Sequence, residues 1–271
     1  MPSPDTITVS QLARLIGAPD APVLLDVRVA EDVAADPRRL PASLARDYRD
    51  VAGWAPALAG RHVVTICQRG QKLSQGTAAW LRHAGANAEV LEGGFLAWRD
   101  AGQPLLLPDH VPPRDAAGRT LWVTRARPKI DRIACPWLIR RFIDPGAVFL
   151  FVAAAEVPAV AERFGATPFD IEGVFWSHRS ELCTFDVMTQ EFGLRTEAMD
   201  RLALIVRAAD TARLDLAPQA AGLLAASLGF SRLYRDDLAQ LDAAMGLYDA
   251  MHRWCRDAVA ETHNWPAARP A

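Results

Sequence analysis

The stretch that most restricts what this chain can fold into is His62-Val63-Val64-Thr65-Ile66-Cys67, an apolar run that passes through Gln68-Arg69-Gly70-Gln71-Lys72-Leu73 into a helical pattern. A β-branched run of this length, bounded by a turn, reads as a buried strand. Ser74 is placed to cap a helix that continues through Trp80 to His83 before Gly85 ends it. Cys67 then falls in the short turn between strand and helix. In a parallel α/β sheet that turn lies at the carboxyl edge, where ligands bind and where the free N–H groups of the helix start gather. The position favours a thiolate, and Arg69 and Lys72 add positive charge, so Cys67 is expected to have a lowered pKa and to act as a nucleophile. The plainer alternative is an inert thiol closing a buried strand.

The flanking segments extend the pattern. Ser10 precedes Gln11 to Ile16 and Gly17 follows, which predicts a short helix capped by Ser10. Val23 to Val27 predicts a strand, with Asp26 near its end read as a structural residue that tethers a loop through backbone N–H groups. Ala88 to Leu91 predicts another strand, and Gly93-Gly94 opens a helix that runs to Ala101. Strand and helix alternate, so the expectation is an α/β fold with a parallel sheet and flanking helices. Between Ala30 and Ala59, Pro37, Pro41 and Pro56 interrupt any period, and the segment reads as an irregular connection with about one helical turn.

Three motifs in this half, Leu24-Leu25-Asp26-Val27-Arg28, the Cys67 to Lys72 loop and Leu91-Glu92-Gly93-Gly94-Phe95-Leu96-Ala97-Trp98, stand in the order and spacing of the rhodanese sulfurtransferases. Residues 5 to 106 resemble that family. The resemblance implies that Cys67 carries a persulfide, that Cys67, Arg69, Gly70 and Lys72 form the catalytic loop, and that Gln68, Gln71 and Leu73 complete the cradle for a sulfur donor such as thiosulfate. A thiol acceptor would then take the sulfur, with no cofactor required. Two positions depart from the family: Leu73 stands where a hydroxyl residue is common, and Leu40-Pro41-Ala42-Ser43-Leu44-Ala45 replaces the usual Gly-His-Ile-Pro-Gly-Ala segment.

The chain has 271 residues, long enough for two cores, and its formal net charge of −2 provides no global basic field, which argues against a nucleic-acid partner. The N-terminus has no basic and apolar leader pattern, and no stretch reaches the length of a membrane span, so the expected location is cytoplasmic. Four cysteines, at 67, 135, 183 and 255, are too scattered for a disulfide framework. No sequence signal bears on the oligomeric state.

Gln103 to Gly118 carries Pro104, Pro108, Pro112 and Pro113 without an apolar period and reads as a semi-rigid linker. The organisation is therefore a first domain over 1–106, a Pro-rich linker over 107–119 and a second domain over 120–271. The second domain begins with a predicted strand at Thr120 to Thr124, and another is predicted at Val148 to Val152. Leu238, Leu241, Met245, Tyr248, Met251 and Trp254 mark one face of a long helix. A helix-rich α+β domain is expected.

Arg125, Arg127, Lys129, Arg132, Arg140 and Arg141 are opposed between residues 125 and 141 only by Asp131. This run would offer donors to a small oxyanion, with Arg125, Arg132 and Arg140 as candidate contacts, unless acids elsewhere in the fold neutralise it. Cys135 lies within it as a candidate redox or oxyanion-sensing thiol, whereas Cys183 and Cys255 read as packing residues. Glu172, His178, Asp186 and His263 are candidate ligands for a transition metal, with His178 foremost; hydrogen-bonded polar groups are the alternative. The segments Trp122 to Pro145, Phe169 to Val174, Ser177-His178-Arg179, Cys183-Thr184-Phe185-Asp186, Asp215 to Leu224 and Arg253-Trp254-Cys255-Arg256-Asp257 through His263-Asn264-Trp265-Pro266 resemble the C-terminal domain of the ChrB-type chromate-resistance proteins. That resemblance implies a part in chromate resistance, with chromate as a candidate ligand, and in some relatives a role in chromate-responsive transcription. Here a rhodanese-like domain stands where a regulator would need a DNA-binding one.

Overall fold

The computed structural model describes residues 5–262. The first half builds a sheet of five parallel strands in the order β1-β5-β4-β2-β3, formed by β1 (Thr6–Ile7), β2 (Val23–Asp26), β3 (Leu44–Ala45), β4 (His62–Ile66) and β5 (Asn87–Leu91). The apolar β4 occupies the centre because its side chains are covered on both faces, as parallel sheets require. The edge strands β1 and β3 are two residues each, which limits exposed pairing groups. Helices α1 (Val9–Leu15), α2 (Ala30–Ala35), α3 (Val51–Trp54), α4 (Lys72–His83) and α5 (Gly94–Asp100) flank the sheet.

The second half carries a smaller parallel sheet, β7-β6-β8, from β6 (Leu121–Arg125), β7 (Val148–Val152) and β8 (Thr167–Pro168). Six helices surround it: α6 (Asp131–Leu138), α7 (Val157–Phe164), α8 (Thr184–Glu191), α9 (Glu197–Asp210), α10 (Ala220–Leu233) and α11 (Asp237–Asp257). The α/β first domain and the helix-rich second domain with its small sheet are the expected fold classes. Among the described residues, no helix is long and apolar enough to cross a membrane.

Local detail departs from the sequence pattern in several places. Thr8, not Ser10, caps α1: its hydroxyl accepts from the Gln11 N–H while the Gln11 side chain accepts from the Thr8 N–H, a reciprocal pair that Ser10 could not make. Ser74 is buried inside the first turn of α4, which begins at Lys72 after Gln71. The segment from Ala30 to Ala59 holds α2, β3 and α3 as well as short 3-10 turns, because Pro37 and Pro41 sit between elements and Pro56 falls in the first turn of a 3-10 helix, where its missing N–H is not needed. On α11 the stripe is buried at Leu241, Met245 and Tyr248, while Leu238 at its start is 46% exposed.

The linker is docked. Leu105 and Leu106 are buried, and Leu106 exchanges two backbone hydrogen bonds with Arg39, at 2.8 and 3.2 Å. Leu107 N–H donates to Phe192 O at 3.0 Å, and Ala42 N–H to Phe142 O at 2.6 Å. One apolar core therefore runs from Phe95 and Trp98 through Leu105 and Leu106 to Trp122, Trp137 and Phe142. The leucines explain why this proline-rich stretch does not behave as a free spacer: burial of each contributes about 2 kcal/mol.

Candidate functional site

β4 delivers Cys67 to the carboxyl edge of the sheet, one residue beyond Ile66, which pairs with Asp26 of β2. The loop that follows lies against the Gly93-Gly94 turn. Gly70 has φ of +65°, and a Cβ there would stand 2.3 Å from Leu91 O. Gly94 has φ of +62°, and a Cβ there would stand 2.2 Å from Cys67 O. Only glycine meets both demands. The approach lets Phe95 N–H donate to Cys67 O at 2.9 Å and Leu96 N–H donate to Gln68 O at 3.1 Å. The first turn of α5 thus clamps the loop.

Cys67 is 5% exposed. Burial is the largest influence on its thiol and pushes the pKa up, but the Ser74 side chain and the N–H groups of Ser74, Arg69 and Gln71 together outweigh it and hold the pKa below its ordinary value. Ser74 Oγ is buried with no partner at hydrogen-bond geometry among the described residues, so its proton is available to a Cys67 thiolate. The direction and the part played by loop N–H groups agree with expectation; the part given to the charges of Arg69 and Lys72 does not. Arg69 and Lys72 are exposed, where water screens their charge. Hydrogen-bond donors at contact distance act instead.

Asp26 is a tether: its carboxylate accepts from the Arg28 backbone N–H at 3.1 Å and from the Arg28 guanidinium at 2.8 Å. The guanidinium also lies 3.9 Å from the centre of the Phe95 ring, so the pair braces α5 and through it the cysteine loop. A cleft of about 260 Å³ runs along the start of α4, lined by Tyr48, Arg49, Lys72, Leu73 and Trp80.

A second constellation forms in the other domain. Asp131 opens α6, Asp170 follows β8, His178 precedes α8 and Asp210 ends α9. His178 Nε2 is 3.6 Å from Asp131 Oδ2, 3.5 Å from Asp170 Oδ1 and 3.2 Å from Asp210 Oδ2. Asp131 is fully buried; its Oδ2 accepts from Thr184 N–H at 2.6 Å, and its Oδ1 has no hydrogen-bond partner among the described residues. Burial raises the Asp131 pKa well above the carboxylate range, and the charges of Asp210 and Asp170 add to the effect. Burial also acts on Asp170, but His178, the Thr184 hydroxyl, Arg132 and Arg125 overcome it and lower that pKa. The carboxylates of Asp170 and then Asp210 raise the His178 pKa to about 10, against its partial burial. Environment has separated two neighbouring carboxylates, a pattern found at functional sites.

Of the ligands expected from sequence, only His178 belongs to this cluster. Glu172 is exposed on the wall of the adjoining cleft. Asp186 instead accepts from the Cys183 N–H at 3.1 Å and lies 3.5 Å from Arg207, serving the start of α8. His263 lies outside the described residues. Asp131, Asp170 and Asp210 were missed, since they come from three segments with no shared spacing. The cationic run is largely paired. Arg125 and Arg132 both face Asp170 Oδ2, at 3.4 and 3.3 Å, whereas Arg140 turns to Asp242 at 2.8 Å, so the three expected oxyanion contacts do not converge on one partner. Cys135 is fully buried and its thiol pKa is pushed up first by burial and then by Asp131, which removes it as a sensing thiol; Cys183 and Cys255 are buried packing residues as expected.

Comparison with known proteins covers both halves. Residues 122–255 match the family model of the ChrB C-terminal domain, and residues 8–101 match that of the rhodanese-like domain. Protein ChrB of Cupriavidus metallidurans is 32% identical over 171 residues, which cover 58% of this chain and 51% of that protein. The chain thus spans about half the length of this curated relative. Among solved structures, a rhodanese-related protein from Thermoplasma volcanium is 23% identical with a TM-score of 0.33, covering 38% of this chain and 97% of its own. A protein of unknown function from Rhodopseudomonas palustris, described as a possible tyrosine phosphatase, is 27% identical with a TM-score of 0.34, covering 37% and 83%.

Proposed function

This chain joins a rhodanese-like domain to a ChrB C-terminal domain, and on that premise we propose that it is a chromate-resistance protein whose first domain transfers sulfur through a persulfide on Cys67. The observation that carries the reading is the lowered Cys67 thiol, held among N–H donors at the carboxyl edge of the central strand.

The Cys67 thiolate attacks the sulfane sulfur of thiosulfate. The new Cβ–S–S bond forms as the S–S bond of thiosulfate breaks, and sulfite leaves with the bonding pair. The persulfide sulfur then carries the negative charge. The N–H groups of Arg69, Gln71 and Ser74, which face the sulfur, would with the start of α4 favour an anion there. A thiol acceptor or cyanide takes the outer sulfur and returns Cys67 to the thiolate. Arg69 and Lys72, exposed beside the loop, draw the anionic donor in from solvent. No metal or cofactor enters these steps.

The test is sulfur transfer from thiosulfate to cyanide, with intact-mass measurement of the protein. Wild type should turn over and gain the mass of one sulfur atom, and Cys67→Ser should do neither. Full transfer by Cys67→Ser would refute the mechanism.

A further inference from the structure

The geometry points to a divalent metal site in the second domain, made by Asp131, Asp170 and His178 Nε2, that takes a first-row cation of the Mn(II), Fe(II) or Zn(II) class. It is independent of the Cys67 chemistry.

The spacing fits a cation. Oxygen and nitrogen ligands at about 2.0–2.2 Å from a metal stand about 3.0–3.5 Å from one another in tetrahedral or octahedral arrangements. The carboxylate oxygens stand 3.2, 3.5 and 3.6 Å from His178 Nε2, and candidate ligand atoms of Asp131, Asp170 and His178 all lie within 4.8 Å of each other. The two longer separations exceed a good hydrogen bond.

An independent sign is the orphaned oxygen of Asp131. Its side chain is 0% exposed and its Oδ1 has no hydrogen-bond partner among the described residues. An unpartnered buried carboxylate oxygen is costly, and buried charges are paired or bind metals. The nearby arginines do not answer this need: Arg125 and Arg132 go to Asp170 Oδ2, and among the described residues Asp131 forms an ion pair only with His178. Asp170 presents its other oxygen, Oδ1, to His178.

Supporting donors orient the ligands as metal sites require. Thr184 N–H fixes Asp131 Oδ2 at 2.6 Å, and the Thr184 hydroxyl fixes Asp170 Oδ1 at 2.9 Å. Two carboxylates and one imidazole, without a thiolate, suit hard to borderline divalent cations rather than soft ones. A cleft of about 740 Å³, bordered by Arg125, Asp170, Glu172 and His178, opens the site to solvent and gives the entry path.

The test uses the full chain stripped with a chelator and titrated with Mn(II), with free Mn(II) read from its six-line electron paramagnetic resonance signal and Zn(II) added as competitor. One saturable equivalent per chain is expected, displaced by Zn(II). His178→Ala, which removes a 42% exposed side chain, and Asp170→Asn should each weaken binding at least tenfold while circular dichroism stays that of the wild type. Glu172→Gln and Cys67→Ser should bind as wild type. Absence of saturable binding in the wild type, or wild-type affinity in either His178→Ala or Asp170→Asn, overturns the proposal.

Discussion

Replacing Gly94 by alanine tests the clamp that holds the cysteine loop. Two costs add. The residue sits at φ of +62°, where an L side chain costs about 1–2 kcal/mol. Its Cβ would stand 2.2 Å from Cys67 O and 2.4 Å from Gly70 N, both backbone atoms that cannot swing aside, and such overpacking costs about 1–3 kcal/mol. Gly94→Ala should therefore destabilise the protein by about 2–5 kcal/mol, a large share of the usual margin of about 5–15 kcal/mol. Gly76 is the internal control. It lies in α4 with nothing within 4 Å of a Cβ, so Gly76→Ala should stabilise by up to about 1 kcal/mol through helix propensity. Urea unfolding followed by circular dichroism reads both signs, since the slope of about 1–3 kcal/mol/M turns these values into separate midpoints. The folded fraction of Gly94→Ala should also lose sulfur transfer, because the Phe95 N–H to Cys67 O bond cannot persist with the loop displaced. A Gly94→Ala midpoint equal to that of wild type would refute the close-approach argument.

Three further outcomes follow from the same contacts. Ser74→Ala removes the hydroxyl that can donate to the Cys67 thiolate, a charge-assisted bond worth about 1.5 kcal/mol, so the thiol pKa should rise and alkylation of Cys67 near neutral pH should slow about tenfold, read as a shift in its pH profile. Asp249→Ala strips partners from both the Trp137 indole N–H, at 2.8 Å, and the Arg141 guanidinium, at 2.8 Å, and should cost about 3 kcal/mol in urea unfolding. In chelator-treated protein, the raised His178 pKa means that its contribution to stability is complete below about 6.5 and is lost as pH rises toward about 10; His178→Gln should remove that part of the alkaline decline, and an unchanged slope would refute it.

The first domain was legible because its information is local. A β-branched strand, a glycine-bearing turn and a helix follow one another within about twenty residues, and Cys67 falls at their junction whatever the rest of the chain does. Cap residues were less legible. Ser10 and Thr8 are equally good caps by type, and the choice fell to Thr8 because Gln11 stands three residues after it and closes the reciprocal pair. Ser74 has the composition of a cap but works one turn deeper, with its hydroxyl beside the sulfur it helps to charge. At the start of the proline-rich stretch the prolines dominate the pattern, while the burial of Leu105 and Leu106 decides where the chain lies.

What the sequence determined by itself is the two-part organisation, the strand-loop-helix unit and the cysteine it presents, since each depends on residues that are neighbours along the chain. Only the tertiary structure decided what the charges do. It gave Arg125 and Arg132 a common partner in Asp170, sent Arg140 to Asp242, and gathered Asp131, Asp170 and Asp210 around His178. An electrostatic interaction depends on distance and burial, and for groups that meet across dozens of residues both are set by the packing of the helices that carry them.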